Sequence, residues 1–222
     1  MKQKKREINF TVIAVGGSLI APHLSDEGGI DVPFLSAFRK VLLEEIKEGR
    51  KFVLVAGGGK TARVYRDAAT HIGKTTNDDL DWIGIAATKL NAELLRVLFR
   101  KAGDSVIVEG GTRPGWSTDY IAMSLAKKFG AKEVIDAGDI DFVYNKDPKK
   151  FPDAKPIPKL SWSEYRKLIP LEWTPGMSCP IDPIAARLAQ RISIVAKTLK
   201  GTDFANLKKA IEGKEFVGTL IV

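Results

Sequence analysis

The chain has 222 residues, enough to bury roughly 70% of its unfolded surface around its own core without staples. Hydrophobic residues make up 44% and charged residues 28%, which excludes a disordered or collagen-like chain, while a lone cysteine, Cys179, excludes an internal disulfide or a cysteine-based zinc site and suits a reducing compartment, the cytoplasm by default. Lys and Arg number 35 against 27 Asp and Glu, and the formal net charge of +8 favours anionic partners.

In chain order, residues 1–10 form a basic N-terminal extension in which Lys2, Lys4, Lys5 and Arg6 carry much of the charge excess. It reads as a solvated end, and no aromatic-interleaved basic stripe accompanies it to suggest nucleic acid. No apolar run approaches the roughly 20 residues of a membrane span, and no signal-peptide hydrophobic region follows the start, so neither membrane insertion nor export is expected.

Residues 11–222 read as a single domain. INFTVIAVGG, SAFRKVLLEEIKEG, KFVLVAGGG and KTARVYRDAATHIG alternate strand, helix, strand, helix. The apolar run Val53, Leu54, Val55, Ala56 suits a strand buried on both faces of a parallel sheet, so helices are expected on both sides. A long helix is predicted over 80–101, a strand over 105–109, a helix after Thr118 and a strand over 133–137. Residues 145–160 hold four of the eleven prolines and read as a loop or hairpin within the domain. RISIVAKTL, TDFANLKKAIEG and EFVGTLIV return to strand, helix and strand. No metal-ligating constellation is legible.

Three glycine clusters each close an apolar run and open a helical pattern: Gly16-Gly17-Ser18, Gly57-Gly58-Gly59-Lys60 and Gly110-Gly111-Thr112. Without side chains, such turns let backbone N–H groups approach a phosphate while the next helix aims its positive end at the same point. One cluster alone is more simply a tight connection; three along one edge of a parallel sheet favour phosphate binding. Neither GxxxxGK[ST] nor GxGxxG occurs, which disfavours P-loop and dinucleotide-binding proteins. The side chains around the turns suit phosphoryl transfer: Lys60 and Arg63 as cations, Ser18 and Thr112 as donors, and Asp119 after GGTRPGWST.

The segments VGGSL, AGGGKTARVY, LDWIGIAATKLNAELL, GGTRPGWSTD, DFVYNKDPKK and IDPIAAR, in this order, resemble the amino acid kinase family, and within it the archaeal uridylate kinase branch. The resemblance implies a three-layer α/β/α sandwich with a mainly parallel central sheet. It implies transfer of a phosphoryl group from ATP, with Mg²⁺, to UMP in cytoplasmic pyrimidine nucleotide synthesis, by a homohexamer or homodimer. Position by position, Gly17, Ser18, Gly59, Arg63, Gly138, Tyr144 and Asp147 would serve ATP. Gly58, Asp81, Thr112, Arg113, Pro114, Gly115, Trp116, Ser117 and Thr118 would serve UMP, with Asp81 on the ribose. Lys60 and Asp119 would be catalytic, the lysine as the neutralising charge and the aspartate organising the cations.

The sequence departs from that pattern in four places. Ala14 stands where many members carry a lysine, a role passed here to Lys60; Gly138 and Phe142 replace a threonine and a glycine of TxxDGVY; the stretch before Gly110 is short; and LEWTPGMSCP is rich in proline and aromatic residues. These keep two other readings open: a kinase of another small phosphate or carboxylate, and a non-catalytic nucleotide-binding assembly that stores an oxyanion such as molybdate. His23 and His71 lack a partner that would make either catalytic. Trp82 and Trp116 suit base stacking or packing equally, whereas Trp162 and Trp173 are expected in the core or an interface.

Overall fold

The computed structural model describes residues 10–23, 29–177 and 179–222, so the four cations of the basic extension lie outside the described residues. Strand β1 (Phe10–Val15) shows the alternation that organises everything else. Val12 and Ala14 face one hydrophobic layer, Ile13 and Val15 the other, and all four are buried.

Around β1 lie parallel β2 (Lys51–Ala56) and β4 (Glu133–Gly138), with β3 (Val106–Glu109) beyond β2 and β8 (Val195–Lys200) beyond β4. In register, Val12 sits between Val53 and Val134. The sheet of seven ends with β9 (Thr219–Ile221), antiparallel to β8, and β7 (Lys159–Leu160), in the order β3-β2-β1-β4-β8-β9-β7. The proline-rich stretch makes an antiparallel pair of its own, β5 (Val143–Tyr144) with β6 (Pro156–Ile157).

Helices cover both faces, as strands buried on both sides require. Helices α5 (Thr118–Phe129), α6 (Trp162–Leu168) and α7 (Pro183–Ile192) bury Met123, Tyr165 and Ala185 in the layer that holds Val12. Helices α1 (Gly17–Ile20), α2 (Val32–Lys47) and α8 (Phe204–Ile211) bury Ile20, Phe38 and Leu207 in the layer that holds Ile13. The long helix is α4 (Asn77–Leu98), shifted from the expected 80–101. Thr76 and Asp79 form a reciprocal capping box that starts it early, and a 3-10 turn at Arg100–Ser105 takes over its end. Helix α3 (Gly59–Ile72) buries only Gly59 and Ala62, so its other side chains are available to the cleft and the surface.

Candidate active site

The three glycine turns sit at the carboxyl ends of β1, β2 and β3, and the first two are built into each other. Gly16 N–H donates to Ala137 O at 2.8 Å, and Gly57 N–H donates to Val15 O at 2.9 Å. A Cβ on Gly17 would lie 2.0 Å from Gly59 N, one on Gly57 2.4 Å from Gly17 N, and one on Gly59 2.3 Å from Gly17 O. Backbone touches backbone here, and Gly59 also holds φ +66, so no side chain fits at these positions. Buried Asn91 of α4 fastens the same turn by donating Nδ2–H to Gly57 O at 2.7 Å.

The third turn is tied to α4 as well. Gly111 N–H donates to Thr88 Oγ1 at 2.6 Å, and a Cβ on Gly110 would lie 3.0 Å from Thr88 backbone atoms. One turn of sequence further, Gly115 N–H donates to Asp81 Oδ2 at 2.8 Å, joining the two segments expected to receive the acceptor. Burial raises the Asp81 carboxyl above the ordinary value, while the Gly115 N–H and nearby Arg66 partly offset it.

Together the turns border an open cleft of ≈870 Å³. Gly17, Ser18, Gly59, Arg63, Gly138, Tyr144 and Asp147 all line it, and Arg63 Nη2 donates to Ser18 Oγ at 3.3 Å. Gly58, Asp81, Trp116, Ser117 and Thr118 line the same cleft. Thr112, Arg113, Pro114 and Gly115 are not among the lining residues; Arg113 instead stacks its guanidinium 3.8 Å from the Trp116 ring centroid. Lys60 is not a lining residue either, and no ion pair joins it to Asp119; its backbone N–H is held by Ala21 O at 2.9 Å.

Asp119 lies on the cleft floor in acidic company. Its Oδ2 accepts the Asp182 N–H at 3.4 Å, and Asp182 in turn accepts from the Ser117 hydroxyl and from Ile184 N–H at 2.8 Å. Burial, then Asp182 and Asp136, push the Asp119 carboxyl well above the ordinary range. Asp136, an acid inside β4, accepts from Thr198 Oγ1 at 3.2 Å and is raised by burial to about 7. Burial, then the same carboxylates, push the neighbouring Cys179 thiol up to about 12, which keeps it protonated and unreactive. Among the described residues no group of three or more His, Cys, Asp or Glu side chains is arranged to hold a metal ion.

Several cleft residues were not singled out from sequence: Arg66, Asp136, Asp182 and Thr88. An acid set between Val134–Ile135 and Ala137 of the strand EVIDAG was the available signal for Asp136, because an aspartate is rarely buried without purpose. Trp173, expected in the core or an interface, lines the cleft with Pro170 and Met177, because the proline-rich segment before α7 folds over one wall. Trp162 does sit in the core, donating Nε1–H to Ile194 O at 2.8 Å. Trp82 is exposed on α4, and neither His23 nor His71 lines the cleft.

A parallel sheet whose strand ends carry interlocked glycine turns, with arginines and a half-satisfied aspartate around one cleft, defines a phosphotransferase of the α/β/α sandwich class. The chain belongs to the amino acid kinase family, whose profile matches residues 9–107 and 101–196. It is 31% identical to a uridylate kinase of Hyperthermus butylicus over 95% of this chain and 96% of that one, and 31% identical to that of Methanocaldococcus jannaschii over 90% and 95%. The crystal structure of uridylate kinase from Archaeoglobus fulgidus superposes with a TM-score of 0.77 at 31% identity, covering 96% of this chain and all of the other. A UMP kinase from Bacillus anthracis, 20% identical, shares the fold with a TM-score of 0.76 over 97% of this chain and 96% of its own.

The raised Asp136 carboxyl has a consequence for stability. Unfolded, it releases its proton near 3.8; folded, it keeps that proton to about 7, so between these values the folded chain binds more protons and loses stability as pH rises. Asp136→Asn is therefore expected to gain on wild type progressively from pH about 4 to about 7 in urea unfolding midpoints. A difference that stays constant across that range would contradict the assignment.

Proposed function

We propose that the chain is a nucleoside monophosphate kinase that transfers the γ-phosphoryl group of Mg-ATP to the phosphate of UMP, giving ADP and UDP for cytoplasmic pyrimidine nucleotide synthesis. The observation that carries it is kinship with uridylate kinases along nearly the whole of both chains. The cleft chemistry supports it. Glycine turns offer backbone N–H groups to phosphate oxygens, and Arg63 beside Ser18 adds a planar fork for the donor. Asp81, already fixed by the Gly115 N–H, keeps a carboxylate oxygen for the acceptor ribose hydroxyls.

Phosphoryl transfer needs positioning and charge neutralisation more than covalent chemistry. Mg²⁺ enters as part of the Mg-ATP substrate, held by phosphates and water more than by protein carboxylates. In this reading Lys60, at the start of α3, swings its ammonium on a flexible stem toward the transferring group once ATP is bound. Asp119, whose carboxyl burial and then Asp182 and Asp136 push upward, lines the same cleft as the residue that organises the cations in this reading.

Self-association, as a dimer or hexamer, belongs to the same proposal. Trp82, Leu90 and Val97 are exposed apolar residues of α4, and Tyr65 and Ile72 of α3 are exposed as well. Sedimentation is expected to give a mass at least twice that of the chain; a monomer at micromolar concentration would remove this part.

With Mg-ATP and a panel of UMP, CMP, AMP, isopentenyl phosphate and N-acetylglutamate, selective UDP formation is expected; ADP with another product would transfer the proposal to that acceptor. Asp81→Ala should raise the UMP KM about 10- to 100-fold and leave the ATP KM nearly unchanged. Lys60→Ala should lower kcat about 100-fold or more with much smaller changes in nucleotide affinity. Equal losses of turnover and binding would remove Lys60 from the transferring group.

A further inference from the structure

Five cations line the cleft: Arg63, Arg66, Lys146, Lys149 and Lys150. The three lysines sit together just after β5, where Lys146 pairs with Asp153 at 2.6 Å and Lys150 with Asp147 at 3.8 Å, and Arg63 touches Ser18 on the first glycine turn. Arg66 is different in company and in bonding. It lies between α3 and α4, beside Asp81, and its Nε–H donates to Leu80 O at 3.0 Å.

That single bond pins the fork and leaves both Nη groups without a protein acceptor among the described residues. No carboxylate lies within 4.0 Å of the guanidinium among those residues either, although burial lowers its pKa, the sign of a partly desolvated charge. A half-buried guanidinium with four free N–H donors is costly unless an anion completes it.

The fold also makes room for it. Gly84 interrupts the middle of the 22-residue helix α4, where glycine costs about 1 kcal/mol relative to alanine. A Cβ there would lie 1.9 Å from Arg66 Nη2 and 2.8 Å from its Cζ, so the guanidinium occupies the space a side chain would take. On its other side a Cβ on Gly176 would come within 3.1 Å of Nη1, which puts Arg66 at the junction of α3, α4 and the proline-rich wall.

We infer that Arg66 holds the phosphate of the acceptor, and that Arg63, one turn earlier on α3, serves the donor. The inference rests on the proposed reading that the acceptor is a phosphate monoester. The three-residue offset advances about 4.5 Å along the helix, the scale of the separation between neighbouring phosphates. A pinned planar fork with both Nη groups free matches two oxygens of one phosphate. Arg66 is thereby the residue that selects a phosphorylated over an unphosphorylated acceptor.

The test is calorimetric titration of wild type, Arg66→Ala, Arg66→Lys and Gly84→Ala, each with the donor half filled by a non-hydrolysable ATP analogue. The probes are UMP, uridine and orthophosphate. Arg66→Ala is expected to weaken UMP and orthophosphate about 10- to 100-fold, to leave uridine and the ATP analogue within about twofold, and Arg66→Lys to recover only part. Gly84→Ala should weaken UMP through displacement of the guanidinium, and add nothing in the Arg66→Ala background. Equal weakening of UMP and uridine, or no loss of either phosphate probe, would overturn the inference. If wild type holds orthophosphate but not UMP, the UMP reading fails while the Arg66 assignment stands on orthophosphate. If wild type holds neither, the assignment fails too.

Discussion

The direct contact of two glycine backbones is the constraint on which the cleft depends. Gly17, Gly57 and Gly59 approach so closely that any Cβ on them would collide with main-chain atoms, and main chain cannot move aside as a side-chain tip can. This contact sets the first two turns at one height above β1 and β2. It thereby brings the N-terminus of α3, the positive end of that helix, and its arginines to the end of β1. Asn91 and Thr88 extend the same rigidity to α4 and the third turn, so α4 acts as the spine to which both turns and Asp81 are fixed.

Charge is distributed unevenly over this frame. Cations gather on α3 and on the segment after β5, while Asp119, Asp136 and Asp182 lie close together in the same cleft. Carboxyls so close cannot all ionise cheaply, and burial sharpens the effect. Burial and mutual repulsion therefore push all three carboxyls upward. The same region contributes structure: Asp182 caps α7 through Ile184 and Ala185, and Tyr165 holds Ile181 from both sides, donating to its O at 2.6 Å and accepting its N–H at 2.7 Å.

Most of the fold was legible because its signals are local. Apolar runs ended by glycines mark the parallel strands, and the capping pair Thr76–Asp79, itself in the sequence, starts the long helix at Asn77, three residues before the expected 80. That Gly17, Ser18, Gly59, Arg63 and Asp81 would gather around one cleft was legible through motifs whose spacing the fold preserves. Arg66 was not, because an arginine on a polar helix reads as a surface charge until Gly84 and Leu80 are seen beneath it. Lys60 shows the opposite limit: adjacency to the glycines fixes its backbone, by the bond to Ala21 O, but not the direction of its side chain. Trp173 stays out of the core, and nothing in LEWTPGM reveals that the segment lines the cleft instead.

The account's central claim is that donor and acceptor phosphates meet in one rigid cleft and exchange the phosphoryl group directly, with no side chain carrying it in between. The stereochemical course at the transferred phosphorus tests this most directly, using ATP made chiral at the γ-phosphorus with oxygen isotopes. A single in-line displacement predicts inversion of configuration in the product. Retention would reveal two displacements through a phosphorylated side chain and contradict the account.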